Sequence, residues 1–122
     1  MNKMILLGAG VVLMLGILAF VYSLNAPQQA SAEMNAFAQC LADQGAVMYG
    51  TRTCPVCGKQ KEILGNSANI PYVECLTETA KCGELKIEKV PTWIFGDGER
   101  QVGLMELGDL SERTGCAMPA AR

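Results

Sequence analysis

The chain has 122 residues, ten of them basic, twelve acidic and none histidine, which leaves room for one ordinary domain beyond any targeting segment. Without histidine, Cys–His and Ser–His catalysis and every histidine-containing metal site are excluded. Past residue 32 the balance is nine basic against twelve acidic residues, a formal charge of −3, which argues against a nucleic-acid surface built on a basic patch.

The run from Met4 to Leu24 carries no charge over 21 residues. At about 1.5 Å per residue, a helix of that length crosses the roughly 30 Å hydrocarbon core of a bilayer. Lys3 precedes it, and no Lys or Arg follows until Arg52. The positive-inside rule then puts the amino end in the cytoplasm and Glu33 onward outside. Residues 1–24 therefore read as a transmembrane anchor or uncleaved signal, with the domain on the periplasmic or cell-surface side. The alternative is a signal peptide cut after Ala30-Ser31-Ala32, releasing a secreted domain. The apolar run exceeds the roughly 7 to 15 residues of a typical signal core, which favours the anchor.

Residues 25–32, "NAPQQASA", are small and polar and read as a linker, leaving 33–122 as the folded domain. Met34, Phe37, Ala38 and Leu41 recur at helical spacing before Gly45, predicting an amphipathic helix with a glycine stop. "AVMYG" (Ala46 to Gly50) is a short apolar run that suits a buried strand. "TRTCPVCGKQKE" follows, then Ile63 and Leu64, so a Cys-x-x-Cys pair sits where a strand hands over to a helix. Lys59, Lys61 and Glu62 read as that helix's solvated face. "IPYVECL" (Ile70 to Leu76) predicts a second strand, and "TETAKCGELKI" a helix or loop. "VPTWIFGDGERQVG" predicts a hairpin turning at Gly96-Asp97-Gly98. "LMELGDLSERTG" predicts a last helix with Leu107 and Leu110 inward. The order implies an α/β layer sandwich around a mixed sheet.

The cysteine pair supports two chemistries. For redox work one thiol must ionise near neutral pH, well below its usual pKa of about 8.5. A helix N-terminus favours the anion through its unpaired N–H groups and dipole. Cys54 lies where the helix begins, Pro55 suits the first helical position, and Cys57 lies one turn on, within reach to resolve a mixed disulfide. Structural zinc instead needs four ligands, usually in two close knuckles. Here they would have to include Cys75 and Cys82, which six residues separate. A helix directly after the motif and an oxidising compartment also favour redox chemistry over metal. "EKVPTW" adds a proline at the opening of a strand, Pro91, 34 residues beyond Cys57.

Taken together, "MYGTRTCPVCGKQKEILG…IPYVEC…VPTWIFGDG" resembles the thioredoxin-like domain fused to bacterial and plant vitamin K epoxide reductase homologues, from about Phe37 to Gly115. The resemblance implies an α/β thioredoxin-like fold, a mixed central sheet flanked by helices. It implies Cys54 as nucleophile, Cys57 as resolving thiol and Pro91 as a cis-proline facing them. The backbone of Val90 would then bind the substrate chain like an added strand. No cofactor or metal is implied beyond the redox-active Cys54–Cys57 disulfide. The implied partners are cysteine-containing exported proteins and a quinone-reducing membrane oxidoreductase, which here would be a separate protein because the reductase domain does not accompany these residues. Thr53 departs from the pattern, since the family usually has an aromatic residue before the first cysteine.

Fixing Cys54–Cys57 leaves three pairings for the other four cysteines. The resemblance favours Cys75–Cys82, where the family often carries a second pair, and Cys40–Cys116 would then tie the two ends of the domain. Both are expected to be structural, worth about 2 to 4 kcal/mol each, with electron relay through Cys75–Cys82 as the alternative. The expected function is that of an exported, membrane-anchored thiol–disulfide oxidoreductase promoting disulfide formation. A reductant, for instance of apo-cytochrome cysteines, and a non-catalytic zinc-binding module are the alternatives.

Overall fold

The computed structural model describes residues 2–25 and 30–120. Residues 26–29 of the expected linker, and the chain ends, lie outside the described residues. Helix α1 spans Asn2–Asn25, is apolar on every side and buries none of its residues. Its 24 residues, with a mean hydropathy of 2.8 over the most apolar window, make it long and apolar enough to cross a membrane.

The domain then runs α2 (Ala32–Asp43), β1 (Val47–Gly50), α3 (Pro55–Ile63), β2 (Tyr72–Glu74), α4 (Thr79–Glu84), β3 (Thr92–Ile94), β4 (Arg100–Val102) and α5 (Leu107–Thr114). Helix α2 starts at Ala32, the last residue of the expected linker. The hydroxyl of Ser31 accepts a hydrogen bond from the Met34 N–H at 3.2 Å and so caps the first turn. Gly45, at φ +79°, turns the chain out of this helix, a backbone region where glycine carries no steric cost. The last helix begins at Leu107 rather than Leu104, and Phe95 falls just past β3, in the turn.

The four strands form one mixed sheet in the order β2-β1-β3-β4. The β1 and β2 strands are parallel, while β1–β3 and β3–β4 are antiparallel. Central β1 is buried at Met48, Tyr49 and Gly50, as expected of a strand covered on both faces. Met48 stands opposite Trp93 of β3. Around that pair lies the core: Phe37 and Leu41 from α2, Cys57 from α3 and Leu64 at its C-cap, and Leu110 from α5, together with Trp93 and Met105. Trp93 and Phe95 are both core residues, their rings stacked with centroids 6.4 Å apart. This mixed sheet flanked by helices, with the Cys-x-x-Cys pair at the β1–α3 junction, is a thioredoxin-like fold.

Two disulfides brace the domain. Cys40 on α2 bonds Cys116, just past α5, across 76 positions of sequence, and Cys75 bonds Cys82 across 7.

Candidate active site

Cys54 is the N-cap residue of α3, with extended φ and ψ, and Pro55 opens the helix behind it. Its sulfur accepts a hydrogen bond from the Cys57 N–H at 3.2 Å. The side chain that caps the helix is thus the thiol itself, occupying the place usually taken by a Ser or Asp oxygen. Burial pushes the Cys54 thiol up, but the hydrogen bond from the Cys57 thiol and the N–H groups of Cys57 and Val56 outweigh it. The net result is a thiol held below its ordinary value. At a given pH such a group is more often thiolate than a free cysteine is.

Cys57 is its opposite. It is fully buried, and burial, followed by its hydrogen bond to the Cys54 sulfur, pushes its thiol up to about 11. Both cysteines are free thiols, Cys54 half-buried and Cys57 buried. An incoming sulfur can therefore reach Cys54 first, with Cys57 waiting behind it.

The opposite wall is the loop before β3. The Val90–Pro91 peptide is cis, and the Cys54 thiol lies 3.8 Å from the Val90 carbonyl oxygen. The Thr92 hydroxyl donates to the Lys89 carbonyl at 2.5 Å, and the Gly103 N–H donates to the Pro91 carbonyl at 2.8 Å. These two bonds fix the loop from either side. Exposed Val56 adds apolar surface beside the cysteines. Thr53 is also exposed, its hydroxyl 3.4 Å from that of Thr51.

Of the six cysteines and the two loop residues singled out from sequence, the structure brings Cys54, Cys57, Val90 and Pro91 together. It places Cys40–Cys116 and Cys75–Cys82 in disulfides. The sulfurs of Cys75 and Cys82, which a four-thiolate zinc site would need, are spent on each other.

Sequence reasoning missed three residues that shape this site. Gly50 is the first. A Cβ there would stand 2.8 Å from the Cys57 sulfur and 3.1 Å from the Tyr72 ring, so the missing methyl is the space the resolving sulfur occupies. Gly50→Ala is expected to cost about 1 to 3 kcal/mol through overpacking and to slow closure of the Cys54–Cys57 disulfide. Urea unfolding, together with the rate of oxidation by glutathione disulfide, checks both effects.

Gln60 is the second, fully buried on α3. Its amide donates to the Met105 carbonyl at 2.9 Å. Its oxygen accepts from the Met105 N–H at 2.7 Å and from the Trp93 indole at 3.3 Å. The stripe Cys57, Gln60, Leu64 follows helical spacing and would have placed Gln60 inward.

Tyr72, the third, lies on edge strand β2. Its hydroxyl donates to Glu74 at 2.9 Å, and the Lys61 ammonium sits 3.6 Å over its ring centroid. Lys61 is consequently half-buried rather than part of a solvated face.

No protein-family model matches the chain. The chain is similar to the thiol-disulfide oxidoreductase LTO1 of Arabidopsis thaliana, 38% identical over 96 residues, a match covering 70% of this chain and 25% of the plant protein. It thus spans about a quarter of that relative's length.

Proposed function

We propose that this chain is a membrane-anchored thiol–disulfide oxidoreductase that exchanges disulfides with protein cysteines through Cys54 and Cys57. The observation that carries the reading is the inequality of the two thiols. One is half-exposed, caps a helix and ionises early; its partner is buried and ionises late. The similarity to a plant thiol-disulfide oxidoreductase supports the same activity. Because Cys75 and Cys82 are already bonded to each other, the reading is favoured over a zinc module.

In the oxidising direction, a substrate thiolate attacks the Cys54 sulfur of the Cys54–Cys57 disulfide and Cys57 leaves, taking up a proton. A second substrate thiol then attacks the mixed disulfide and Cys54 leaves as the favoured thiolate. Two electrons and one proton pass from the substrate's thiolate–thiol pair to the cysteines, Cys57 holding the proton and Cys54 the charge. The Val90 carbonyl, beside the attacked sulfur, is placed to accept a backbone N–H from the substrate chain. Reoxidation would fall to a quinone-reducing membrane oxidoreductase, on the strength of the resemblance to vitamin K epoxide reductase homologues. Helix α1 would hold the domain against that partner, with the domain on the extracytoplasmic side.

A Cys57→Ser variant is expected to accumulate mixed disulfides through Cys54, visible as thiol-sensitive adducts in cells. No adducts would remove the proposed activity on proteins. Iodoacetamide should label Cys54 of the reduced protein well before Cys57, with a rate that falls only as pH drops through the depressed pKa of Cys54. The reduction potential decides direction: a couple more negative than about −250 mV would be a reductant in this fold's range.

A further inference from the structure

Cys57 must become a thiolate whenever it attacks or leaves, yet it is buried and no charged side chain bonds to it. The space around it holds a candidate. The Cys57 sulfur and the Tyr72 ring edge lie 2.8 Å and 3.1 Å from the same point, the missing Cβ of Gly50. They are therefore no further apart than those two distances combined. Against the face of the same ring, 3.6 Å from its centroid, lies the Lys61 ammonium. Lys61 stands one helical turn beyond Cys57 on α3, so the two side chains share a face of the helix. The Tyr72 hydroxyl is bonded to Glu74, which keeps the ring from turning away. Lys61 and Tyr72 also line a surface cavity of about 340 Å³ with Asn66, Ser67 and Ile70, so water reaches the ammonium from outside.

We propose that Lys61, held on the face of Tyr72, is a positioning charge that stabilises Cys57 as a thiolate during disulfide exchange. The proposal deepens the oxidoreductase reading and rests on it. The step balances without an added reagent. When a mixed disulfide is resolved, the bond between Cys54 and the substrate sulfur breaks and the Cys54–Cys57 bond forms. The Cys57 proton passes to the departing substrate thiolate. In the reverse sense Cys57 leaves as the thiolate and takes its proton from the second substrate thiol, which then attacks as a thiolate. An ammonium near the sulfur favours the anionic moment of either sense, and exchange speeds up as the leaving thiol's pKa falls. The pull of Lys61 on the Cys57 thiol is downward, against the larger upward push of burial and of Cys54.

Besides Lys61, the Thr51 backbone hydrogen-bonds Cys57 and lowers its thiol, while Cys54 raises it. Cys54 lies on the same helix. Tyr72 and Glu74 come from β2. Arg52, in the loop after β1, is directed at Glu74, whose acidity is raised by it. Met48 and Trp93, from β1 and β3, bring no charge.

The test compares the full chain with Lys61→Gln and Lys61→Arg. The Cys57 pKa is read from thiolate absorbance with Cys54→Ser in each background. Single-turnover release of a glutathione mixed disulfide is followed with Cys54 intact. Lys61→Gln should raise the Cys57 pKa by at least about half a unit and slow release by about twofold or more, the lost thiolate fraction being partly offset by higher nucleophilicity. Lys61→Arg should restore both. Unchanged values in an active Lys61→Gln protein would leave Lys61 a surface residue and overturn the inference. If the wild-type chain exchanges no disulfides, the oxidoreductase reading fails instead, and the pKa measurement still decides whether Lys61 acts on Cys57. Thermal unfolding shows whether the variants fold. A Lys61→Gln protein that slows release without moving the pKa also overturns the inference.

Discussion

Replacing Gln60 by Leu is expected to lower the stability of the domain by about 3 kcal/mol or more. Its side chain makes three hydrogen bonds, two to the Met105 backbone and one from the Trp93 indole. No described buried side-chain nitrogen or oxygen lacks a partner, so the network is complete as it stands. A leucine fills the volume but leaves the Met105 N–H, the Met105 carbonyl and the indole N–H buried and unpaired. Each orphaned group costs about 1 to 3 kcal/mol, and the gain in apolar burial offsets only part of that. With about 4 to 8 °C of Tm for each kcal/mol in a domain of this size, the melting midpoint should fall by at least about 12 °C. Trp93 is the chain's single tryptophan, so its fluorescence reports the site directly. Gln60→Glu is the informative control. An ionised carboxylate can accept both N–H groups but repels the Met105 carbonyl; once protonated it can donate to that oxygen. Its destabilisation should therefore shrink as pH falls, which a Leu variant cannot imitate. A Gln60→Leu protein as stable as wild type would show that the network contributes nothing net.

Removal of the Cys40–Cys116 disulfide should have an effect of the same order. A crosslink acts on the unfolded chain by forbidding its open conformations, and the effect grows with the logarithm of the loop it closes. The separation here is 76 residues, against 7 for Cys75–Cys82. The loop-entropy relation gives about 4.5 kcal/mol for the long loop and about 2.5 for the short one. Cys40→Ala with Cys116→Ala is therefore expected to destabilise more than Cys75→Ala with Cys82→Ala, by urea unfolding of the otherwise intact chain. Local contacts argue in the same direction. Cys116 is buried, its carbonyl accepts from the Ser111 hydroxyl at 2.6 Å, and its N–H donates to the Thr114 hydroxyl at 3.3 Å. Losing the bond would loosen this end of α5 as well. The reverse ranking would mean that the short loop carries native-state interactions the entropy argument omits.

The elements legible in the sequence are those with a local cause. Pro55 and the cysteines announce the start of α3 because helix entry is decided within one turn. Gly45 marks the end of α2 because its positive φ is a local demand, and the Gly96-Asp97-Gly98 stretch marks the hairpin for similar reasons. The site residues that escaped notice depend on partners far away in the chain. Gln60 stands between Lys59 and Lys61 and looks like surface until Met105, 45 residues on, claims its amide. Lys61 looked solvated because nothing near it in sequence reveals Tyr72. Gly50 reads only as the end of a short apolar strand; that it vacates the volume for the Cys57 sulfur emerges only once β1, α3 and β2 are packed together.

The link from Cys40 to Cys116 also has a mechanical meaning. Any tension applied between the apolar helix α1 and whatever is held at or beyond Cys116 enters the domain at α2. It can leave through one sulfur–sulfur bond without crossing the sheet. The strands, α3 and the Val90–Pro91 loop then lie in an unloaded side branch of the force path. A domain tugged between a bilayer and a polypeptide bound near its C-terminal end would keep the spacing of Cys54, Cys57 and Val90 while the load passes alongside them.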